Sequence, residues 1–164
     1  MSDTKQVLDG RIVLRPVANQ DDEQFLRDLY YGTRDDLRAL PLSEEQLRQL
    51  LLMQYEAQTR NYSEQFSGAS HNVIELDGVP VGRLIVDRRP GQIECVDISL
   101  LPQWRNGGIG TAVMRSLLEE CADQKSSCIL FVLKTNLARS LYDRMGFRVE
   151  EDTDTHFVMK WDPK

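Results

Sequence analysis

Apolar and polar positions along this chain follow two periods, and the changes of period outline its elements. The run Arg11 to Val17 has the composition of a strand. Phe25, Leu26, Leu29 and Tyr30 then recur at i, i+1, i+4 and i+5, one face of a helix that Asn19 or Asp21 is able to cap. Tyr31 to Arg34 breaks that helix. Ser43 and Gln46 have capping-box spacing, and Leu47, Leu50, Leu51 and Tyr55 make the stripe of a second helix. The polar stretch 58–70 is expected to be a long loop. From residue 71 the period falls to two. Val73 to Leu76, the turn Asp77-Gly78 and Val81 to Val86 predict a hairpin. Pro90-Gly91 then turns the chain into a strand from Ile93 to Leu101. Ile109, Val113, Leu117 and Cys121 stand four apart, as on a long helix. Cys128 to Leu133 is apolar without alternation, as in a strand covered on both faces. Ala138, Leu141, Tyr142 and Met145 mark a short amphipathic helix ending at Gly146, and Phe147 to Val149 and His156 to Trp161 are closing strands. This order predicts one mixed α/β domain over residues 1–164, a sheet with helices on its faces.

Composition narrows the functional classes. The chain has 164 residues, and 20 Lys and Arg against 26 Asp and Glu give a net charge of −6. That balance argues against coating nucleic acid or an anionic membrane. No apolar run approaches about 18 residues, so no membrane span is expected. The opening MSDTKQVLDG lacks the basic-then-apolar order of a signal peptide. Cys95, Cys121 and Cys128 stand at no metal-ligand spacing and are expected to be structural thiols in a reducing compartment, which makes a cytoplasmic protein without metal the expectation. The charge is also uneven. Residues 101–149 carry seven Lys and Arg against four acids, whereas residues 1–100 are net −6 and residues 150–164 net −3.

That basic stretch contains the informative segment, Leu100 to Thr111, which leaves a strand, turns through Gly107, Gly108 and Gly110 and enters a helix. Glycines let backbone N–H groups converge, and a helix N-terminus adds partial positive charge, so the turn suits a pyrophosphate. It fits neither rival phosphate loop. Gly110 is followed by Thr111-Ala112 rather than Lys-Ser or Lys-Thr, and the spacing G-x-G-x-x-G ends on Val113 instead of glycine. A plain glycine-rich turn is the alternative.

A second motif lies one helix and one strand downstream: Asn136, Ala138, Tyr142, Gly146 and Phe147. With Arg105-Asn-Gly-Gly108-Ile-Gly110 it makes the chain resemble the GNAT (Gcn5-related N-acetyltransferase) family over about residues 11–161. The resemblance implies a mostly antiparallel sheet of six to seven strands with a splayed parallel pair and about four flanking helices. It also implies acetyl-CoA as co-substrate, an amine acceptor and, by analogy, a homodimer. Laid on this sequence, it makes Arg105 part of the cofactor site and puts the CoA pyrophosphate on backbone N–H groups from Asn106 through Gly107, Gly108, Ile109 and Gly110 to Thr111. The strand end at Ser99 and Leu100 would lie along the pantetheine arm, Asn136 would hold that arm, Arg139 would reach a phosphate, and Tyr142 would protonate the departing thiolate. On the residues alone, Tyr142 on the stripe with Ala138, Leu141 and Met145 reads first as a core position. An acyl-CoA-binding sensor without turnover is the competing reading, and free-thiol release would separate the two.

Deprotonating the acceptor is the harder task. An amine of pKa about 10.4 is neutral in only ~1 part in 2,500 at pH 7, a penalty of roughly 4.6 kcal/mol. A thiolate of pKa about 8.5 asks only about 2 kcal/mol of an acid. The family resemblance makes Glu94 the candidate base, at the strand position where histone-acetylating relatives carry a catalytic Glu. Strict alternation puts Glu94, Val96, Ile98 and Leu100 on one face and Cys95, Asp97, Ser99 and Leu101 on the other, so Asp97, the second acidic candidate, is expected on the face opposite Glu94. An ordinary strand carboxylate is the alternative for both acids. Tyr30, Tyr31, Tyr55, Tyr62 and Phe66 cluster where relatives build the acceptor pocket, although packing accounts for many such rings. Arg34, Asp35 and Asp36 read as a solvated loop, and His71 and His156 are lone histidines.

Overall fold

Eight strands form a single sheet in a computed structural model that describes residues 5–8 and 10–164. Residues 1–4 and 9, part of the opening stretch read above, lie outside the described residues. In chain order the elements are β1 (Gln6–Val7), β2 (Ile12–Pro16), α1 (Gln20–Gly32), α2 (Asp35–Arg38), α3 (Glu44–Gln65), β3 (Ser70–Leu76), β4 (Val79–Arg89), β5 (Gln92–Leu100), α4 (Ile109–Gln124), β6 (Ser127–Leu133), α5 (Arg139–Arg144), β7 (Arg148–Asp152) and β8 (His156–Trp161). A single 3-10 turn, Pro102–Trp104, precedes α4. The sheet order is β1-β2-β3-β4-β5-β6-β8-β7, antiparallel except for the β5–β6 pair.

The expected architecture is present with one more strand and one more helix than anticipated. The extra strand β1 has two residues, and α2 is one turn within the stretch read as a solvated loop. Both are too short to leave a periodic signal. The stretch 58–70 differs more: α3 runs on to Gln65, so most of the expected loop is helix. Its Gln, Glu, Arg and Ala residues are good helix formers even where only one face has partners. The caps are as predicted. Asn19 accepts the Asp22 N–H, and Ser43 and Gln46 form a reciprocal capping box.

The two sheet faces carry different cores. On one face α4 and α5 cover Leu84, Val86, Ile93, Cys95, Cys128, Leu130 and Val132, with Val113, Leu117, Cys121 and Tyr142 packed onto them. On the other, α1 packs on β4 and α3 packs on α1, burying Leu29, Tyr30, Leu51, Val73 and Ile85. All three cysteines are buried free thiols. No helix among the described residues is long and apolar enough to cross a membrane.

One feature of β5 departs from ideal alternation. Asp97 pairs with Ile85, but the next pair is Cys95 with Val86, so Val96 is an extra residue, a bulge. Directly opposed residues in an antiparallel pair share a face. Arg83, Ile85 and Asp87 therefore lie with Ser99, Asp97 and Glu94 on the α1–α3 face, while Leu84 and Val86 lie with Ile98 and Cys95 on the α4 face. Strict alternation is thus overturned: Asp97 and Ser99 share the face of Glu94, and Ile98 and Leu100 do not.

An ion network ties α1 to the sheet. The Arg15 guanidinium donates to Asp22 at 2.8 Å and to Glu75 at 2.7 Å, and Asp22 also accepts the Ala18 N–H at 2.8 Å. Its bond to Arg15 holds the Asp22 carboxyl down at about 2, below its ordinary 3.8, against the opposing effect of burial. The stability this provides is complete above pH 3.8 and disappears as pH falls through 3.8 toward 2. Asp22→Asn should cost about 2 kcal/mol at neutral pH. It should also flatten the acid limb of stability over that window, as measured by urea unfolding at stepped pH.

Candidate active site

The parallel pairing of β5 with β6 runs from Gln92–Ser127 to Cys95–Leu130 and stops where the bulge begins. Beyond it the two strands part. A cleft of about 750 Å³ opens there, floored by Glu94 to Ile98 of β5 and Phe131 to Leu133 of β6. Gln58, Tyr62, Gln65 and Phe66 from the last turns of α3 form one wall. Asn136 and Tyr142, with Glu151, Thr153 and His156 from β7, β8 and their connection, form the other. The charged side chains of this lining are carboxylates, those of Glu94, Asp97 and Glu151.

Of the sequence candidates, the cleft brings together Glu94, Tyr142 and Asn136. Burial, and then the Asp87 carboxylate, push the Glu94 carboxyl above its usual range, while Arg89 pulls it back. Such a group takes up a proton more readily than a solvated glutamate. Tyr142 stands on α5, edge-on to Phe147 with ring centres 5.7 Å apart. Burial raises its hydroxyl, so it remains a donor throughout the neutral range. Asn136 uses its side-chain carbonyl to accept the Ala138 N–H at 2.9 Å, just ahead of α5, which leaves its NH2 for another partner.

A second hollow of about 270 Å³ is lined by Arg105, Gly107, Gly108 and Ile109 of the glycine turn, together with Trp104 and Arg11. Asn106 and Gly108 both have positive φ, 62° and 89°, and Gly108 is the N-cap of α4. No side chain caps that helix, so the N–H groups of its first turn, at Ile109, Gly110 and Thr111, meet no side-chain acceptor. This backbone fits an anion. Arg105 is less available, because its Nε donates to the Leu100 carbonyl at 3.0 Å. Arg139 lies on the Phe157 ring, 4.1 Å from its centre. Ser99 and Leu100 stand at the end of β5, where Ser99 donates to Asp97 at 2.7 Å.

Asp97 is not idle. Arg83, opposite Ser99 on β4, forms a short ion pair with it, donates to Gln58 at 3.3 Å and sits 5.9 Å from the Tyr62 ring centre. Sequence reading missed Arg83, although a lone base inside the apolar run 81–86 was the available signal. Burial and the Asp97 charge push the Tyr62 hydroxyl up to about 12. The loop acids and base expected to be solvated are more engaged than predicted: Arg34 donates to Tyr30, Gln54 and Asp36. Among the described residues no group of three or more His, Cys, Asp or Glu is placed to hold a metal ion.

The model of the acetyltransferase (GNAT) domain matches residues 67–149, from β3 through the glycine turn and α5 into β7. The chain belongs to the GNAT acetyltransferase family. This GNAT protein is similar in fold to the PaiA N-acetyltransferase from Thermoplasma acidophilum in complex with coenzyme A, with 18% identity, 92% of this chain and 98% of that one covered and a TM-score of 0.68. A GNAT-family acetyltransferase structure from Bordetella pertussis gives 19% identity, coverage of 96% and 99% and a TM-score of 0.64. Arabidopsis thaliana Naa50 in complex with the bisubstrate analogue CoA-Ac-MVNAL gives 15% identity, coverage of 92% and 97% and a TM-score of 0.60. No curated protein matches by sequence.

The GNAT cleft depends on how closely β4 approaches the end of β5. A Cβ on Gly82 would stand 2.3 Å from the Ser99 carbonyl oxygen and 2.6 Å from a Leu100 methyl. Gly82→Ala should therefore cost about 2–3 kcal/mol in urea unfolding. The same change should weaken CoA binding by calorimetry, because it displaces the strand end.

Proposed function

We propose that this GNAT protein is an N-acetyltransferase that moves an acetyl group from acetyl-CoA to a primary amine by direct attack, with both substrates in one site. The observation that carries this reading is the meeting of a carboxylate of raised proton affinity, Glu94, and a protonated phenol, Tyr142, on one cleft. The amine nitrogen attacks the thioester carbonyl carbon and a C–N bond forms. Its proton passes to Glu94. As the C–S bond breaks, the Tyr142 hydroxyl gives its proton to the departing sulfur. Backbone N–H groups of the turn Asn106 to Thr111 hold the pyrophosphate, and the NH2 of Asn136 and the strand end at Ser99 and Leu100 steady the pantetheine arm. A backbone N–H on β5 past the bulge polarises the thioester carbonyl.

Two further observations support the reading. Cys95 also lines the cleft, and burial pushes its thiol up, so it stays protonated and is a poor nucleophile toward a thioester. That favours direct transfer over an acetyl-cysteine intermediate. On the same fold, the Arabidopsis structure holds an analogue that joins CoA to an acetylated peptide, which suits an arrangement where both substrates meet.

The test is thiol release from acetyl-CoA with mass readout on a panel of amines. Transfer to at least one amine is expected. Absence of CoA binding by calorimetry at high micromolar concentration sinks the proposal, and binding without transfer to any amine leaves the sensor reading instead. Glu94→Gln should lower the rate at pH 7 about 100-fold and move the rising limb to higher pH. A profile that is only rescaled removes Glu94 as base. Tyr142→Phe should lower kcat about 10- to 100-fold, and an unchanged rate and profile removes Tyr142 from the mechanism.

A further inference from the structure

Asp87 is a buried carboxylate that the chemistry above does not use. It is 7% exposed, on the α1–α3 face of β4, directly opposite Glu94 in the ladder. Like charges opposed across a strand pair are unfavourable, with side-chain Cβ atoms only about 4.5–5.5 Å apart. The arrangement is partly relieved from behind. The Arg89 guanidinium, 64% exposed, reaches back to donate to Asp87 at 2.9 Å. Three groups thus stand in sequence: a base in solvent, a buried acid, and an acid on the cleft floor.

We infer that Asp87 is a positioning residue for the reaction of the preceding section: with Arg89 it sets the pH at which Glu94 is free to accept the acceptor's proton. The inference rests on Glu94 acting as the base. The other charged and titratable groups on this side leave Asp87 and Arg89 as the controlling pair. Asp97, on the same strand, is bound by Arg83 and Ser99. On β3, His71 stands opposite Ile85, and burial disfavours its charged form. On β6 the residue beside Glu94 is the apolar Ile129. Beyond Ile129, Lys160 of β8 stands 3.9 Å from Glu150 and 4.0 Å from Asp162. Glu151, His156, Tyr62 and Tyr142 line the same cleft from its walls, and none of them is among the groups that shift Glu94. Burial of Glu94, then Asp87, raises its carboxyl, and Arg89 alone of the named influences lowers it.

The two neighbours therefore act with opposite sign, which a merely structural role does not produce. The experiment follows the Glu94 carboxyl by carbon NMR in the full chain labelled at glutamate, with its resonance identified by its loss in Glu94→Gln. Asp87→Asn should move the titration midpoint to lower pH on the order of half a unit, and Arg89→Gln should move it to higher pH. The rising limb of kcat/KM should follow both shifts. Midpoints that stay fixed, or that move the same way in both variants, overturn the inference, while the base reading stands or falls separately on Glu94→Gln. A midpoint that moves while the rate limb stays overturns the role in catalysis. If Asp87→Asn does not fold, Arg89→Gln at its exposed position still carries the sign.

Discussion

One inserted residue, Val96, governs the working half of this fold. A strand that gains a residue against its antiparallel neighbour must reverse the faces of everything beyond it. Ile98 and Leu100 consequently reach the α4 core, and Asp97 and Ser99 join Glu94 on the opposite face. The same irregularity marks where β5 leaves β6, so the cleft begins where regular pairing ends. Gly82 accommodates the far end of the bulged strand, since any side chain there would collide with the Ser99 carbonyl.

The bulge gathers carboxylates, and the fold gives them different environments. Asp97 is spent on Arg83, a buried ion pair that also anchors the end of α3 through Gln58. Asp87 is held by Arg89 and buried opposite Glu94. Glu94 faces the cleft with its proton affinity raised by burial and by Asp87. Acids that differ little in sequence thus differ in chemistry because of what stands behind each of them.

Much of this was legible in the sequence, for local reasons. Asn19, Ser43 and Gln46 announce helix starts because capping needs only residues three apart. The glycine turn and the Asn136–Tyr142 segment are likewise local, and they led to the family and to two of the groups on the cleft. The bulge was not legible, because nothing in the residues around Val96 says that the partner strand skips one position. Reading straight alternation through it put Asp97 on the wrong face. The reach of α3 to Gln65 was also hidden, since its last turns are tied to the distant Arg83 through Gln58 and Tyr62 rather than held by an apolar stripe. The family resemblance places Arg105 and Arg139 at the cofactor, and only the fold shows their present partners, the Leu100 carbonyl and the Phe157 ring.

The two margins of the sheet carry a different consequence. At one end β1 is only two residues long, and at the other β7 is exposed throughout, carries Arg148, Glu150, Glu151 and Asp152, and is bulged against β8 between Val149 and Glu151. A bare strand margin is a template on which another chain's backbone assembles, and shortness, charge and local twist each spoil that template. The cleft in the middle of the sheet is thus flanked by two margins that are poor templates for edge-to-edge strand addition.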